Sequence, residues 1–567
     1  MIKHYRTLLL VFALFCNTVV IQAQNVSLKL NNVTVKEAIE AVKKQTGKSF
    51  FFNVNDVDLN HRVNIDLKDA PLGKALSQIL QGQDIDYEVK DNHIVLSKRN
   101  STKNNQTFTV VGQVTDEKGM PLIGVNITAK GHGNTVTDID YAIEYCNDNP
   151  ELYRVTKWTA MALKSRVCLF EGTFRKYHGI AGHETFLEEC ATISKRFIDE
   201  SPYSIYTSGD KPYRDLFASM NAIQQEVILA RDYDYTKGVK HEANYNTMAQ
   251  TYGRPGMNKK IVNSYLMTDG TRFTDQPGYK TMQYYDEMQN RDPRLTQTVV
   301  GPGYMRINSD KVESPNFSSS TTGYQIIKWV TDASGDGYMG SSNDYILFRA
   351  AEVYLNYAEA KAELGTLTQE DLKISIKKIR DRVGMPNIDM LAANANPDPY
   401  LCAPETGYRN VTGPNKGVIL EIRRERTIEL CLEGHRYYDI IRWKEGKMFE
   451  QPFLGMYFPG LTQGSGDNRY DVFDMNDGIA GDKEKVDICI YTGKKPSVKN
   501  IRKFYKLGEE FVLTDGDKGN IICHDIEKEP RQWNEERDYF FPIPTTERSL
   551  TNGALTQNPG WNDGLDF

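Results

Sequence analysis

The chain has 567 residues, 40% hydrophobic and 25% charged, which is material for several packed domains rather than one. Its 75 acidic residues against 69 basic ones leave a net charge of -6, which argues against a phosphate-binding surface and against nucleic acid as a partner. Aromatic residues make up 11%, a proportion that suits stacking on sugars and equally suits helix packing.

Residues 1–23 read as a secretion signal: Lys3, His4 and Arg6 form a basic start, Leu8 to Phe15 an apolar run, and Ile21-Gln22-Ala23 a small-residue cleavage site. The mature chain is therefore expected in the cell envelope. Phe15 is too bulky to precede a lipid-bearing cysteine, so Cys16 is not expected to carry an anchor. The other seven cysteines are an odd number spread thinly, which predicts buried thiols rather than a disulfide scaffold. No later segment has the roughly 20 consecutive apolar residues of a membrane helix.

Residues 24–97 predict a small α/β domain of order β-α-β-β-α-β-β. Val26 to Leu30 alternates with period two, and Thr34 with Glu37 forms a capping box opening a helix with Val35, Ala38, Ile39 and Val42 on one stripe. Gly47 is its stop. Strands follow at Phe50–Phe52 and Val63–Leu67, then a second helix opened by Pro71 with Leu72, Ala75, Leu76 and Ile79 inward. Asp91-Asn92 marks a two-residue hairpin between the last strands. The pattern, with Asp69-Ala70-Pro71-Leu72 and the closing hairpin, resembles the secretin and TonB short N-terminal (STN) domain. That resemblance implies a periplasmic domain that contacts protein partners, such as an anti-sigma regulator, through residues 25–97.

A polar linker spans residues 98–106. Val111-Gly112-Gln113-Val114 through Gly119-Met120-Pro121 to Val125-Asn126-Ile127, with Thr135-Val136-Thr137-Asp138, resembles the carboxypeptidase-regulatory-like β module that begins a SusC-type TonB-dependent transporter. This module is assigned to residues 107–139. A β-sandwich needs about seven strands to close its core, and roughly three are present, so the fragment is not expected to fold as its relatives do.

Residues 140–567 are expected to be mainly helical. Asp344 is read as the cap of a helix carrying Ile346, Leu347, Ala350, Ala351, Tyr354, Leu355 and Ala358 and ending at Gly365. Leu372 to Val383 is the returning helix of a tetratricopeptide-type pair. Three phrases resemble the SusD/RagB family of outer-membrane nutrient-binding proteins of Bacteroidetes: Phe348-Arg349-Ala350-Ala351-Glu352 onward to Ala360, Arg423-Arg424-Glu425-Arg426 with Glu433-Gly434-His435-Arg436 onward to Trp443, and Phe541-Pro542-Ile543-Pro544 with Gln557-Asn558-Pro559-Gly560-Trp561. The family's first helices and lipid anchor have no counterpart, so a truncated domain with an uncovered apolar face is expected.

Glu425, Glu429 and Glu433, four apart, are candidate acids for glycoside hydrolysis, set against a structural network with Arg423, Arg424, Arg426 and Arg436; the network is the preferred reading. His183-Glu184 and His241-Glu242 lack the second His of a zinc helix, and Gly131-His132-Gly133 lacks a third Gly. Asp515, Asp517 and Gly519 lack the terminal Glu of a calcium loop. No catalytic residue, cofactor or metal is assigned, and the ligand-binding residues are left unknown. The resemblance implies a non-enzymatic protein that captures an oligosaccharide or similar nutrient at the outer-membrane surface for a SusC-type transporter. The alternative is a fusion product without uptake activity, keeping only a periplasmic protein-binding role through the STN-like domain.

Overall fold

The computed structural model describes residues 25–52, 57–83, 85–90, 93–98, 135–250, 252–460, 488–491, 503–524, 528–551 and 554–565. The secretion signal, nearly all of the linker, and residues 107–134 of the β module lie outside them. The chain divides into two compact units, residues 1–131 and 132–567.

The first unit follows the expected order of elements. Its first helix, Val35–Thr46, is opened by the reciprocal Thr34–Glu37 box, and Gly47 closes it in the left-handed region at φ 68°. Strands Asn25–Thr34 and Arg62–Pro71 pair antiparallel, with Leu28 opposite Leu67 and Leu30 opposite Ile65. A second sheet places His93–Lys98 between Ser49–Phe51, parallel to it, and Ile85–Lys90, antiparallel to it. Lys90 faces His93, the register of the two-residue hairpin. Val42, Ala75, Leu76, Ile79 and Ile94 are fully buried between the helices and strands, so this unit has a core of its own.

The second unit is built on helix hairpins. Helices Lys157–His178 and His183–Glu200 run antiparallel. Gly172 faces Leu187, where an added Cβ would sit 2.8 Å from Leu187 Cγ, and Ser165 meets Ser194 at 2.8 Å. Helix Ala350–Glu363 crosses both, and helix Lys416–Glu429 packs on its other side. Buried on nearly every face, Ala350–Glu363 carries five alanines among its 14 residues, which lets neighbours approach closely. Leu355, Leu372, Ile376, Ile379, Val418, Leu420 and Trp443 form the largest core. Among the described residues no helix is long and apolar enough to cross a membrane.

Three segments differ from the sequence reading. Tyr345–Arg349 is a strand paired antiparallel with Val227–Arg231, and the helix begins only at Ala350. Short apolar runs fit either period, and here the partner strand decided. Asp344 is consequently no helix cap; its carboxylate accepts from Tyr153 Oη (2.6 Å), Ala222 N (2.8 Å) and Tyr233 N (3.1 Å). The predicted helix Leu372–Val383 is two short ones, Gln369–Ile374 and Ile376–Asp381, broken at Ser375. Thr135–Asp138, read as the end of the β module, are the first turn of helix Thr135–Tyr145. Ile139 and Ile143, four apart, enter a core with Met161, Ala162 and Phe197.

Gly417 is a position where backbone approach excludes a side chain, since an added Cβ would overlap the carbonyl of Ala393 in helix Met390–Ala395. Gly417→Ala is expected to lower stability by about 2 kcal/mol, read as a lower unfolding temperature by tryptophan fluorescence. A raised temperature, as helix propensity alone favours, would refute this packing.

Candidate functional site

The charged helix is a buried framework. Glu425 accepts from Arg294 Nη1 (2.6 Å) and Arg380 Nε (2.7 Å). Glu429 accepts from Nη1 of Arg294 (2.9 Å), Arg349 (2.7 Å) and Arg382 (2.8 Å), and Glu433 from Arg349 Nε (2.6 Å) and Lys328 Nζ (2.7 Å). Burial pushes all three carboxyls up, but the guanidiniums together outweigh it and hold them below the usual range. A general acid for glycoside hydrolysis needs the opposite shift, so these carboxylates are structural. Their partners are not those expected from the sequence. Arg424 pairs with Asp398, Arg426 with Asp439 (2.8 Å), Arg423 with Glu363 (3.5 Å), and Arg436 donates to Tyr408 Oη (2.8 Å). On one helix the arginines point to other faces than Glu425 and Glu429, and the cations that meet those carboxylates arrive from distant segments.

Of the remaining sequence candidates, Gly131-His132-Gly133 lies outside the described residues. His183 Nδ1 lies 3.3 Å from Glu184, and His241 Nε2 is 2.8 Å from the carbonyl of Asn343. Asp515 and Asp517 lie in a turn where Asp515 N donates to Lys518 O at 3.0 Å. Among the described residues no three His, Cys, Asp or Glu side chains converge so as to hold a metal ion. Cys146, Cys168, Cys190, Cys402, Cys431 and Cys523 are free thiols. Cys168 and Cys190 are buried, and burial pushes both up to about 12, whereas Cys146, Cys402, Cys431 and Cys523 are half-buried.

A candidate binding surface emerges where three tyrosine rings meet. Tyr245, on helix Ala243–Met248, has its ring 5.0 Å from that of Tyr252 and 5.9 Å from that of Tyr338, the latter edge-on. Tyr252 and Tyr338 are 44% and 72% exposed. Exposed rings normally wander, but these stand on a braced scaffold. Asn244, fully buried beneath, donates to Asp332 O (2.9 Å) and accepts from Thr331 N (2.9 Å). Arg306 Nη2 donates to Asp336 at 2.7 Å, and Asn308 to Asp332 at 3.0 Å. Gly335 lies against Asn244, where a Cβ would meet Nδ2 at 2.6 Å, so the loop bearing Tyr338 folds tightly onto the helix bearing Tyr245. The adjoining hairpin places Tyr235, also exposed, under the Lys240 ammonium, 3.6 Å from the ring centre. Sequence reasoning did not single out these tyrosines. The signal available was Tyr338 between Gly335, Gly337 and Gly340 in a polar loop, where an aromatic residue has no core to enter.

The model of the SusD family matches residues 217–561, and that of the secretin and TonB N terminus short domain matches residues 48–99. No curated protein matches. Similar solved structures include a SusD-like protein from Bacteroides fragilis, 21% identical with TM-score 0.48 over 75% of this chain and 70% of that one. A SusD-like carbohydrate binding protein from the same species is 19% identical with TM-score 0.47 over 73% and 69%. A SusD superfamily protein from Parabacteroides distasonis is 17% identical with TM-score 0.41 over 75% and 68%. With the family match covering more than half of its length, and an STN segment ahead of it, the chain belongs to the SusD family.

Proposed function

We propose that this protein is a non-catalytic glycan-binding component of a SusC/SusD-type uptake system, holding an oligosaccharide against Tyr245, Tyr252 and Tyr338. The observation that carries the reading is the braced, exposed ring cluster. Rings already held in place lose little freedom when a sugar face stacks on them, so more of the contact energy remains as affinity. The SusD family match and the STN segment support the cell envelope as the proposed location and a TonB-dependent transporter as the proposed partner.

Tyr338→Ala and Tyr252→Ala are each expected to weaken oligosaccharide binding about tenfold in calorimetric titration, while the unfolding midpoint moves by less than about 0.5 kcal/mol, as for other exposed positions. A flat titration of the parent chain against a broad oligosaccharide panel would remove this reading. A second reading rests on the separate core of residues 25–98, which suits a periplasmic protein-interaction domain that binds an anti-sigma regulator. Retention of such a partner by a chain with Tyr338→Ala would show the two roles to be separable.

A further inference from the structure

A cleft of about 550 Å³ opens on the second unit beside the end of helix Lys157–His178. Its lining includes Tyr177, Arg409, Asn410, Lys444 and Glu535. That volume accommodates a small ligand of one or two rings. Two features set the cleft apart from an ordinary surface fold. Lys444 occupies the left-handed region at φ 57°, a conformation that costs about 1–2 kcal/mol for a residue with a Cβ. The conformation is held from both sides, because Asn410 Nδ2 donates to Lys444 O at 2.5 Å and Lys444 N donates to Ile441 O at 3.1 Å. The buried Glu445 next to it accepts from Arg409 N (3.0 Å) and Asn410 N (2.9 Å), locking the loop that carries Arg409 against the one that carries Lys444.

Charge is distributed unevenly around this frame. Lys176 and Lys447, also in the lining, are taken up by Glu363 (2.7 Å) and Glu450 (2.8 Å) outside it. Glu445 faces the buried Arg423 at 3.7 Å. Among the described residues the Lys444 ammonium has neither a hydrogen bond nor an ion pair, and the Arg409 guanidinium donates to the carbonyl of Pro404 while its charge acts on Glu445 and Glu450. Opposing them is Glu535, whose carboxylate accepts from Tyr539 Oη at 2.9 Å. Among the described residues, Lys444 and Arg409 thus face Glu535 and the already paired Glu445.

We propose that this cleft binds a sugar bearing an oxyanion, a carboxylate or a sulfate ester, through Lys444 and Arg409, at a site independent of the tyrosine surface. The test is calorimetric titration of the full chain at low, fixed ionic strength with sodium glucuronate, glucose 6-sulfate and neutral glucose. One or both anionic sugars are expected to bind at least about tenfold more tightly than glucose, and which of them does so identifies the oxyanion. Lys444→Asn, which tolerates the left-handed backbone, and Arg409→Gln are each expected to lose about tenfold in affinity for the anionic sugar. Glu535→Gln is expected to tighten it, and Glu370→Gln, which breaks only an exposed pair with Lys373, to leave it unchanged. Equal binding of glucose and both anionic sugars would overturn the proposal, as would full affinity in both cation variants.

Discussion

Glu429→Gln is expected to destabilise the helical unit by about 3–5 kcal/mol, the range for breaking a buried ion pair by removing one partner. Glu429 is fully buried and serves three guanidiniums that arrive from Arg294, Arg349 and Arg382. Burying one carboxylate is costly, but burying three guanidiniums around a neutral amide is worse, because the amide nitrogen brings donors where acceptors are needed. Glu226, Glu425, Glu433 and Asp292 share the remaining demand of those arginines and cannot substitute for Glu429. The effect is also long-range: Arg349 ends the strand Tyr345–Arg349, and its Nη2 donates in addition to the backbone carbonyl of Glu429 at 2.8 Å. Losing the carboxylate loosens several segments at once. Denaturant unfolding followed by tryptophan fluorescence measures this unit alone, since all five tryptophans (Trp158, Trp329, Trp443, Trp533, Trp561) lie in it. Glu370→Gln, which breaks only an exposed pair with Lys373 at 3.3 Å, is the control and is expected to shift stability by less than about 0.5 kcal/mol. Equal midpoints for the two variants would mean that the network does not hold the unit together.

The second large effect is acid unfolding between about pH 4 and pH 2. Burial pushes Glu352 up, yet the bidentate Arg166 guanidinium, with both contacts at 2.6 Å, leads the groups that bring it down to about 2. Asp439 is likewise pushed up by burial but held at about 2, chiefly by Arg426 and Arg442. In the unfolded chain both titrate near 4. A carboxylate depressed in the folded state binds its proton more readily when unfolded, so its stabilisation is complete above pH ~4 and is lost as pH falls toward 2. Glu352 and Asp439 each contribute on the order of 2–3 kcal/mol by this linkage, and Glu425, Glu429 and Glu433 act in the same direction. Their sum is comparable with the whole stability of an ordinary domain. Tryptophan fluorescence should therefore report a cooperative loss of structure in that window, and Arg166→Gln should move the midpoint to higher pH because Glu352 then loses the leading cation that offsets its burial and keeps only His435 and Arg426. Native fluorescence persisting to pH 2 would contradict the linkage.

The parts of this protein legible in its sequence are those decided over a few residues. The Thr34–Glu37 box, the left-handed Gly47, and the period-two strands facing apolar helix stripes state the β-α-β-β-α-β-β order locally, and the structure repeats it. The first two phrases of the helical unit carry the family in the same way, since they supply buried arginines, acids and small residues of helices Ala350–Glu363 and Lys416–Glu429. What only the tertiary structure decided depends on partners far along the chain. Tyr345–Arg349 became a strand because Val227–Arg231 lies beside it, and Thr135–Tyr145 became a helix because Ile139 and Ile143 found a core. Glu429 took Arg294, Arg349 and Arg382, which lie 135, 80 and 47 residues away, rather than the arginines of its own helix. The tyrosine surface and the cation cleft belong to this second class. Their rings and charges sit on loops without periodicity, and only the packing of those loops on buried Asn244 and Glu445 turns separate residues into surfaces.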